Sequence, residues 1–312
     1  MRVNAYNPTI PDRTTGGAED PAAEPALLER DDGPVGIAAR AMAYLDAGLA
    51  VALVGEAGSG KTTLARQIAA CRGRGETLVA GDPAMTSEDL VGREIGTEVH
   101  RTRDRFVHSV LKTREVSRVS WTDGPLLTAM SEGTTLVFDE YTRAPPPAHT
   151  ALLWALEDGR VPVASLARGK RSVVATEGFA VILTGNPSDY AGTNAPADAL
   201  SDRLVHLGMP PPSAAFETAV VAARSGLDDD AAALIVDLVR DRLSAGPPGA
   251  RRGSLRPAIM LARMVAASGC MPQEGDRTFT AFCDDLLGPS GAMPAPRPEG
   301  RPARTAGAGA VA

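Results

Sequence analysis

The sequence predicts an α/β fold, a parallel sheet with crossover helices, followed by a small all-helical region. Three observations predict it. Short β-rich apolar runs at 49–55 (LAVALVG), 134–140 (TTLVFDE) and 178–186 (GFAVILTGN) alternate with helical patterns, as buried parallel strands joined by helices do. A glycine-rich turn links the first run to a helical pattern at 62–71 (TTLARQIAAC). After about residue 212 the strands give way to apolar-periodic helices at 228–243 and 254–268.

Taken in order, residues 1–30 are rich in Pro, Gly, Thr and acidic side chains with little periodicity, and read as a flexible arm. Residues 31–211 are expected to form the α/β unit, and residues 212–288 a helical lid. In the lid, Leu234, Ile235, Leu238 and Val239 share one helical face behind Asp228 as N-cap, and Ser254 opens the next helix. The Pro-, Gly- and Ala-rich end, 289–312, has the composition of a disordered tail.

A chain of 312 residues is long enough for one large and one small domain. Its formal charge of −6 and pI of about 5.4 supply no electrostatic footprint for nucleic acid. Only Lys61, Lys112 and Lys170 are lysines among 32 basic residues, a bias that says more about genome composition than about function. The first residues lack the apolar core of a signal peptide, and no apolar stretch approaches the roughly 20 residues that span a bilayer. Cys71, Cys270 and Cys283 lack metal or disulfide spacing, which favours a reducing compartment. A cytoplasmic location follows as the expectation. His100, His108, His149 and His206 are scattered and read as surface or satisfied core residues.

The chemistry starts at GEAGSGKT, Gly55 to Thr62, which fits G-x-x-x-x-G-K-[ST] between a strand and a helix. Such a loop turns successive backbone N–H groups toward phosphate oxygens at a helix N-terminus. Gly55, Glu56, Ala57, Gly58, Ser59, Gly60, Lys61, Thr62 and Thr63 are therefore the candidate ATP-binding residues. Gly58 and Gly60 permit the tight approach, Lys61 reaches the β/γ-phosphates, and Thr62 offers its hydroxyl to Mg²⁺.

The run TTLVFDE ends in two adjacent carboxylates. Asp139 suits the Mg²⁺ water shell, and Glu140 suits a general base acting on water. The strand 179–185 is expected beside the Asp139 strand, so Asn186 at its tip orients that water. Arg203, in LSDRL, lies too far along to serve its own pocket and suits an arginine finger for a neighbouring subunit. Arg256, in SLRPA, opens a lid helix and reaches the γ-phosphate from that side.

With these motifs in place, the sequence resembles the AAA+ ATPases of the MoxR type. The block GPLLTAMSEGTTLVFDEYTRAPPPAHTALLWALEDGRVPV, 124–163, looks like their run of helix, acidic strand, helix and β-hairpin. Within that group the chain is most similar to the gas vesicle GvpN family. HSVLKTREVSRVSWTDGPL, DEYTRAPP and above all NPSDYAGTNAPADALSDRL carry the likeness, which covers roughly residues 34 to 287. It implies an AAA+ P-loop core with a helical lid and a hexameric homo-oligomeric ring. It also implies catalytic positions at Lys61, Thr62, Asp139, Glu140, Asn186, Arg203 and Arg256. The implied activity is ATP hydrolysis that assists assembly or enlargement of gas vesicles, with shell or accessory proteins as partners. Two other readings stay open: a MoxR-type ATPase that activates or metallates a specific enzyme, and a nucleotide-gated scaffold for shell components.

Between residues 93 and 121 lies an insertion carrying Arg101, Arg103, Arg105, Lys112, Arg114 and Arg118. Such a run is ordinarily a solvated face; its place between the phosphate loop and the acidic strand also suits client contact near the top or pore of a ring.

Overall fold

A computed structural model of the chain describes residues 35–104, 112–163, 172–186, 198–245, 254–273 and 275–288. The predicted arm (1–30) and tail (289–312) lie outside the described residues, as does 187–197, the greater part of the 186–204 stretch that carries the family likeness.

A five-stranded parallel sheet forms the centre. Its strands are β1 (Ala50–Val54), β2 (Glu76–Ala80), β5 (Thr135–Asp139), β8 (Ala180–Gly185) and β9 (Leu204–Gly208), in the spatial order β2-β5-β8-β1-β9. The inner strands are buried on both faces, as parallel strands under helices must be, so they read as continuous apolar runs. The chain leaves β1 for the far edge and returns strand by strand before β9 is added on the other side. That reversal opens a crevice at the carboxyl end of β1, where α/β sheets bind their ligands.

Helix α1 (Val35–Asp46) and helix α2 (Lys61–Cys71) cover one face. Leu64, Ala65, Ile68 and Ala69 of α2 are buried there, each large side chain contributing about 1.5–3 kcal/mol of transfer free energy. The other face carries α3 (Ser87–Val91), α4 (Pro125–Glu132) and α5 (Pro146–Glu157). Proline suits the first turn of α4 and α5, where an N–H has no intrahelical partner. The three prolines of 145–147 thus start a helix without breaking one.

The 93–121 insertion is an antiparallel hairpin, β3 (Gly92–Asp104) with β4 (Lys112–Asp123), bulged between Ile95 and Thr97. Its register sets Glu98 opposite Arg118 and Arg101 opposite Glu115. The side chains of Arg101, Arg103, Arg105, Lys112, Arg114 and Arg118 lie outside the described residues. A second, short hairpin pairs β6 (Arg160–Pro162) with β7 (Ser172–Val174).

After a short α6 (Asp198–Ser201) and β9, four helices complete the described residues: α7 (Ala214–Ser225), α8 (Asp229–Ser244), α9 (Leu255–Ser268) and α10 (Arg277–Leu287). They share an apolar cluster built on Val221, Ile235, Val239, Leu261, Val265 and Phe279. Asp228 caps α8 by accepting from Ala231 N at 2.7 Å. The buried face of α8 is Ala232, Ile235, Val236 and Val239, so the sequence expectation needs correction: Leu234 is 58% exposed. The run AAALIVDLV is apolar around much of its circumference, and the packing partners choose the stripe. Ser254 occupies the N-cap position of α9, but its side chain makes no capping bond.

Candidate active site

The glycine-rich loop leaves β1 and enters α2 through Gly60, whose φ of 88° lies in the left-handed region open to glycine. Lys61, 8% exposed, donates from Nζ to Gly55 O at 2.9 Å and to Glu56 O at 2.6 Å. A buried ammonium requires such acceptors; here loop carbonyls hold the cation at the base of the crevice.

Across the crevice, β5 delivers Asp139. Thr62 Oγ1 donates to Asp139 Oδ1 at 2.5 Å, and the Thr184 hydroxyl donates to the same oxygen. Thr184 Oγ1 in turn accepts from Glu140 N at 3.0 Å. Three adjacent elements, α2, β5 and β8, are thereby tied at one carboxylate. Thr184 was missed in the sequence reading. Its signal was a hydroxyl in an otherwise apolar strand, one residue before Gly-Asn.

Glu140 is the one non-glycine residue with positive φ (51°) among the described residues. Its carbonyl accepts from Arg143 N at 2.9 Å, closing a 3-10 turn over Tyr141–Arg143. The carboxylate pairs with Arg143 Nη1 at 2.9 Å, both side chains about half exposed. Beneath the turn, the buried His149 makes a 3.0 Å contact from Nε2 to Tyr141 O and packs edge-on against Phe138. Burial holds the imidazole below its ordinary pKa, partly opposed by the Tyr141 carbonyl. With a carbonyl as partner, Nε2 is the donor. His149 is a core residue, as its isolation in the sequence suggests.

Lys61, Thr62, Asp139, Glu140, Arg143 and Thr184 line one cavity of about 490 Å³, together with Asn186 at the tip of β8 and Arg256 at the start of α9. Ala57 through Thr63 line it directly, while Gly55 and Glu56 serve through their carbonyls. Phe216 and Val220 of α7 and Ile259 of α9 supply an apolar wall. Lys61 and four arginines (143, 224, 256 and 263) face Asp139 and Glu140 there, an excess of positive charge suited to a polyphosphate. Neither Arg143 nor the α7 wall was foreseen, because both depend on tertiary placement.

The loop also touches the helical region. Leu255 N donates to Gly58 O at 3.1 Å. A Cβ on Gly58 would lie 2.1 Å from Ser254 Oγ. Gly58, expected to admit phosphate, therefore also admits the end of α9.

Arg203 does not line this cavity. Its guanidinium pairs with Glu157 at the end of α5, and Nη1 donates to Ala199 O at 2.6 Å. The acidic partner thus comes from α5 and not from the segment around Arg203 itself.

The oxygen donors of Thr62 and Asp139 fit Mg²⁺, which takes one or two carboxylates plus phosphate and water. Among the described residues no group of three or more His, Cys, Asp or Glu could hold a metal ion unaided.

A parallel sheet with this strand order, a phosphate loop at the switch point and an acidic strand beside it define an AAA-type P-loop ATPase. The family profile described as AAA domain (dynein-related subfamily) matches residues 50–204. The chain is 36% identical over 275 residues to the gas vesicle ATPase GvpN of Ancylobacter aquaticus, covering 88% of this chain and 76% of that protein. It is 38% identical over 242 residues to gas vesicle ATPase GvpN2 of Halobacterium salinarum, covering 76% and 67%. The chain belongs to the gas vesicle ATPase GvpN family. A more distant match is protein NorQ of Paracoccus denitrificans, 31% identical over 58% of this chain and 60% of that protein. Among solved structures, a Thermotoga maritima RuvB mutant matches with a TM-score of 0.51 at 16% identity, over 84% of this chain and 73% of that one. That likeness speaks to the fold alone. Among the described residues no helix is long and apolar enough to cross a membrane.

Proposed function

We propose that this protein hydrolyses ATP in the cavity between the sheet and α9, and that the work assists assembly or enlargement of gas vesicles in the cytoplasm. The observation that carries the chemistry is the single-carboxylate junction of Thr62, Asp139 and Thr184 facing the phosphate loop. The gas vesicle role rests on membership of the family.

In this reading Lys61 and the loop N–H groups hold the β- and γ-phosphates of ATP. Thr62 and Asp139 would hold Mg²⁺, which supplies charge neutralisation for the phosphates when bound. Thr184 fixes the Asp139 carboxylate and, through Glu140 N, the turn that presents Glu140. Glu140 takes a proton from the attacking water, Asn186 orients that water, and Arg256 meets the γ-phosphate from the lid, residues 212–288.

Arg203 serves the pocket of a neighbouring subunit in a homo-oligomeric ring, a hexamer by family likeness. Arginine fingers of this kind are worth about 10³–10⁵ in rate. Its outward position at the Glu157 pair, off its own cavity, supports that reading. Gas vesicle shell or accessory proteins are the partners, and the basic hairpin 93–121 is the surface offered to them.

Two experiments test this. Electron microscopy of a deletion strain should show vesicles that are absent, few or small; normal vesicles in normal numbers would instead favour activation of an enzyme. Arg203→Ala and Lys61→Ala chains, each inactive alone, should regain part of the ATPase rate when mixed. If mass measurement confirms mixed rings and the rate stays at the level of the separate variants, the finger does not act in trans.

A further inference from the structure

We propose that Arg143 is a positioning residue: it holds the Glu140 carboxylate until the γ-phosphate of ATP draws the guanidinium away and releases the base. The inference rests on the reading of Glu140 as general base.

The pair is built into the backbone. Glu140 sits in the left-handed region at φ 51°, a conformation that persists only where its surroundings enforce it. Arg143 N closes the turn onto Glu140 O at 2.9 Å, which brings the side chains at 140 and 143 together. The turn cannot drift. His149 holds Tyr141 O from below, Thr184 holds Glu140 N, and the absent side chain of Gly185 leaves room for the Tyr141 ring.

What remains adjustable is the end of each side chain. Both are about half exposed and their ion pair is 2.9 Å long, a geometry of small net worth in water. Both also line the nucleotide cavity. A carboxylate held by a guanidinium is poorly placed to accept a proton from water. A γ-phosphate brings more negative charge and three oxygens into the cavity, and Arg matches phosphate bidentately. ADP lacks that group, so the exchange distinguishes ATP from ADP before any bond breaks. Arg143 is then a γ-phosphate sensor whose movement arms the site.

The test is a double-mutant cycle on the full chain, with Mg²⁺ and either ADP or a non-hydrolysable ATP analogue as ligand. Arg143→Ala should weaken the analogue about tenfold and leave ADP within about twofold. Glu140→Gln removes the competitor for Arg143 and should tighten the analogue. That gain should be smaller by about threefold or more when Arg143 is also Ala. Arg143→Lys, which keeps the charge and loses the fork, should recover part of the preference for the analogue. Equal gains from Glu140→Gln in the two backgrounds overturn the proposal, as do equal losses for ADP and analogue in Arg143→Ala. These are binding measurements, so they stand apart from the role of Glu140 in turnover, which its phosphate-release rate decides.

Discussion

The two walls of the cavity are made in different ways. On the sheet side, loop carbonyls hold Lys61 at 2.6–2.9 Å, and the Asp139 carboxylate ties Thr62 and Thr184 of neighbouring elements. On the helical side, Arg256 is exposed, and Leu255 N donates to Gly58 O as a backbone link to the loop. A preorganised wall suits charge stabilisation, which loses its advantage if the dipoles must reorient during reaction. A wall joined at one seam suits opening and closing over a ligand. The difference predicts that lesions on the sheet side stop chemistry or binding outright, whereas lesions on the helical side weaken them.

The largest effect expected is at Lys61. Lys61→Ala removes the point charge facing the phosphates, and nucleotide binding should fall below detection by fluorescence titration. Retained binding would mean the arginines carry the phosphates and the two walls are not distinct.

At the seam itself, two glycines separate backbone cost from wall contact. Gly58 and Gly60 both have φ near 80–90°, so alanine at either costs about 1–2 kcal/mol. Gly58 faces Ser254, whereas nothing among the described residues lies within 4 Å of a Cβ on Gly60. Gly58→Ala should therefore lower Tm further than Gly60→Ala, at about 2–4 °C per kcal/mol. Ser254→Gly should return part of the difference. Equal Tm losses would show that α9 shifts away from the loop without cost.

A smaller effect is expected at Arg256. Arg256→Ala should lower turnover by about tenfold, one charge-assisted contact, with stability within about 0.5 kcal/mol because the side chain is exposed. Calorimetry and phosphate release read the two quantities on one sample.

The smallest effect is a pair of opposite pH slopes. Burial lowers the pKa of His149 in the core. Below about 6.5 the unfolded chain takes up a proton that the native core resists, so this group's contribution to stability falls as pH drops through that window. Burial raises the pKa of Glu217 in α7, with Arg240 opposing it. The native state then holds a proton longer than the unfolded chain, and this contribution falls as pH rises from about 4.5 toward the raised value. Urea unfolding between pH 4.5 and 7.5 should lose the first slope in His149→Gln and the second in Glu217→Gln. A slope that survives its substitution belongs to another group.

Much of this was legible in the sequence. Buried parallel strands announce themselves as apolar runs, Gly55–Thr62 fall on a motif of fixed spacing, and Asp139, Glu140, Asn186 and Arg256 stand at strand tips or a helix start. What was hidden depends on chain segments far apart in sequence. Thr184 matters because β8 lies beside β5, Ser254 because α9 meets Gly58, and Glu157 because α5 ends beside Arg203. Arg143 is only three residues from Glu140, yet its role needs the left-handed turn that no local pattern announces. The face of α8 was misjudged at Leu234 because its apolar residues surround the helix, and only packing breaks the tie.

In the proposed chemistry, the carboxylate presented by the turn after β5 activates water for ATP hydrolysis. Phosphate release at saturating ATP and Mg²⁺ by Glu140→Gln, beside its measured nucleotide affinity, tests it most directly. Affinity should be kept or increased while turnover falls about 10²–10⁴-fold, the contribution of a general base. A Glu140→Gln chain that binds ATP and turns over at the wild-type rate would contradict it.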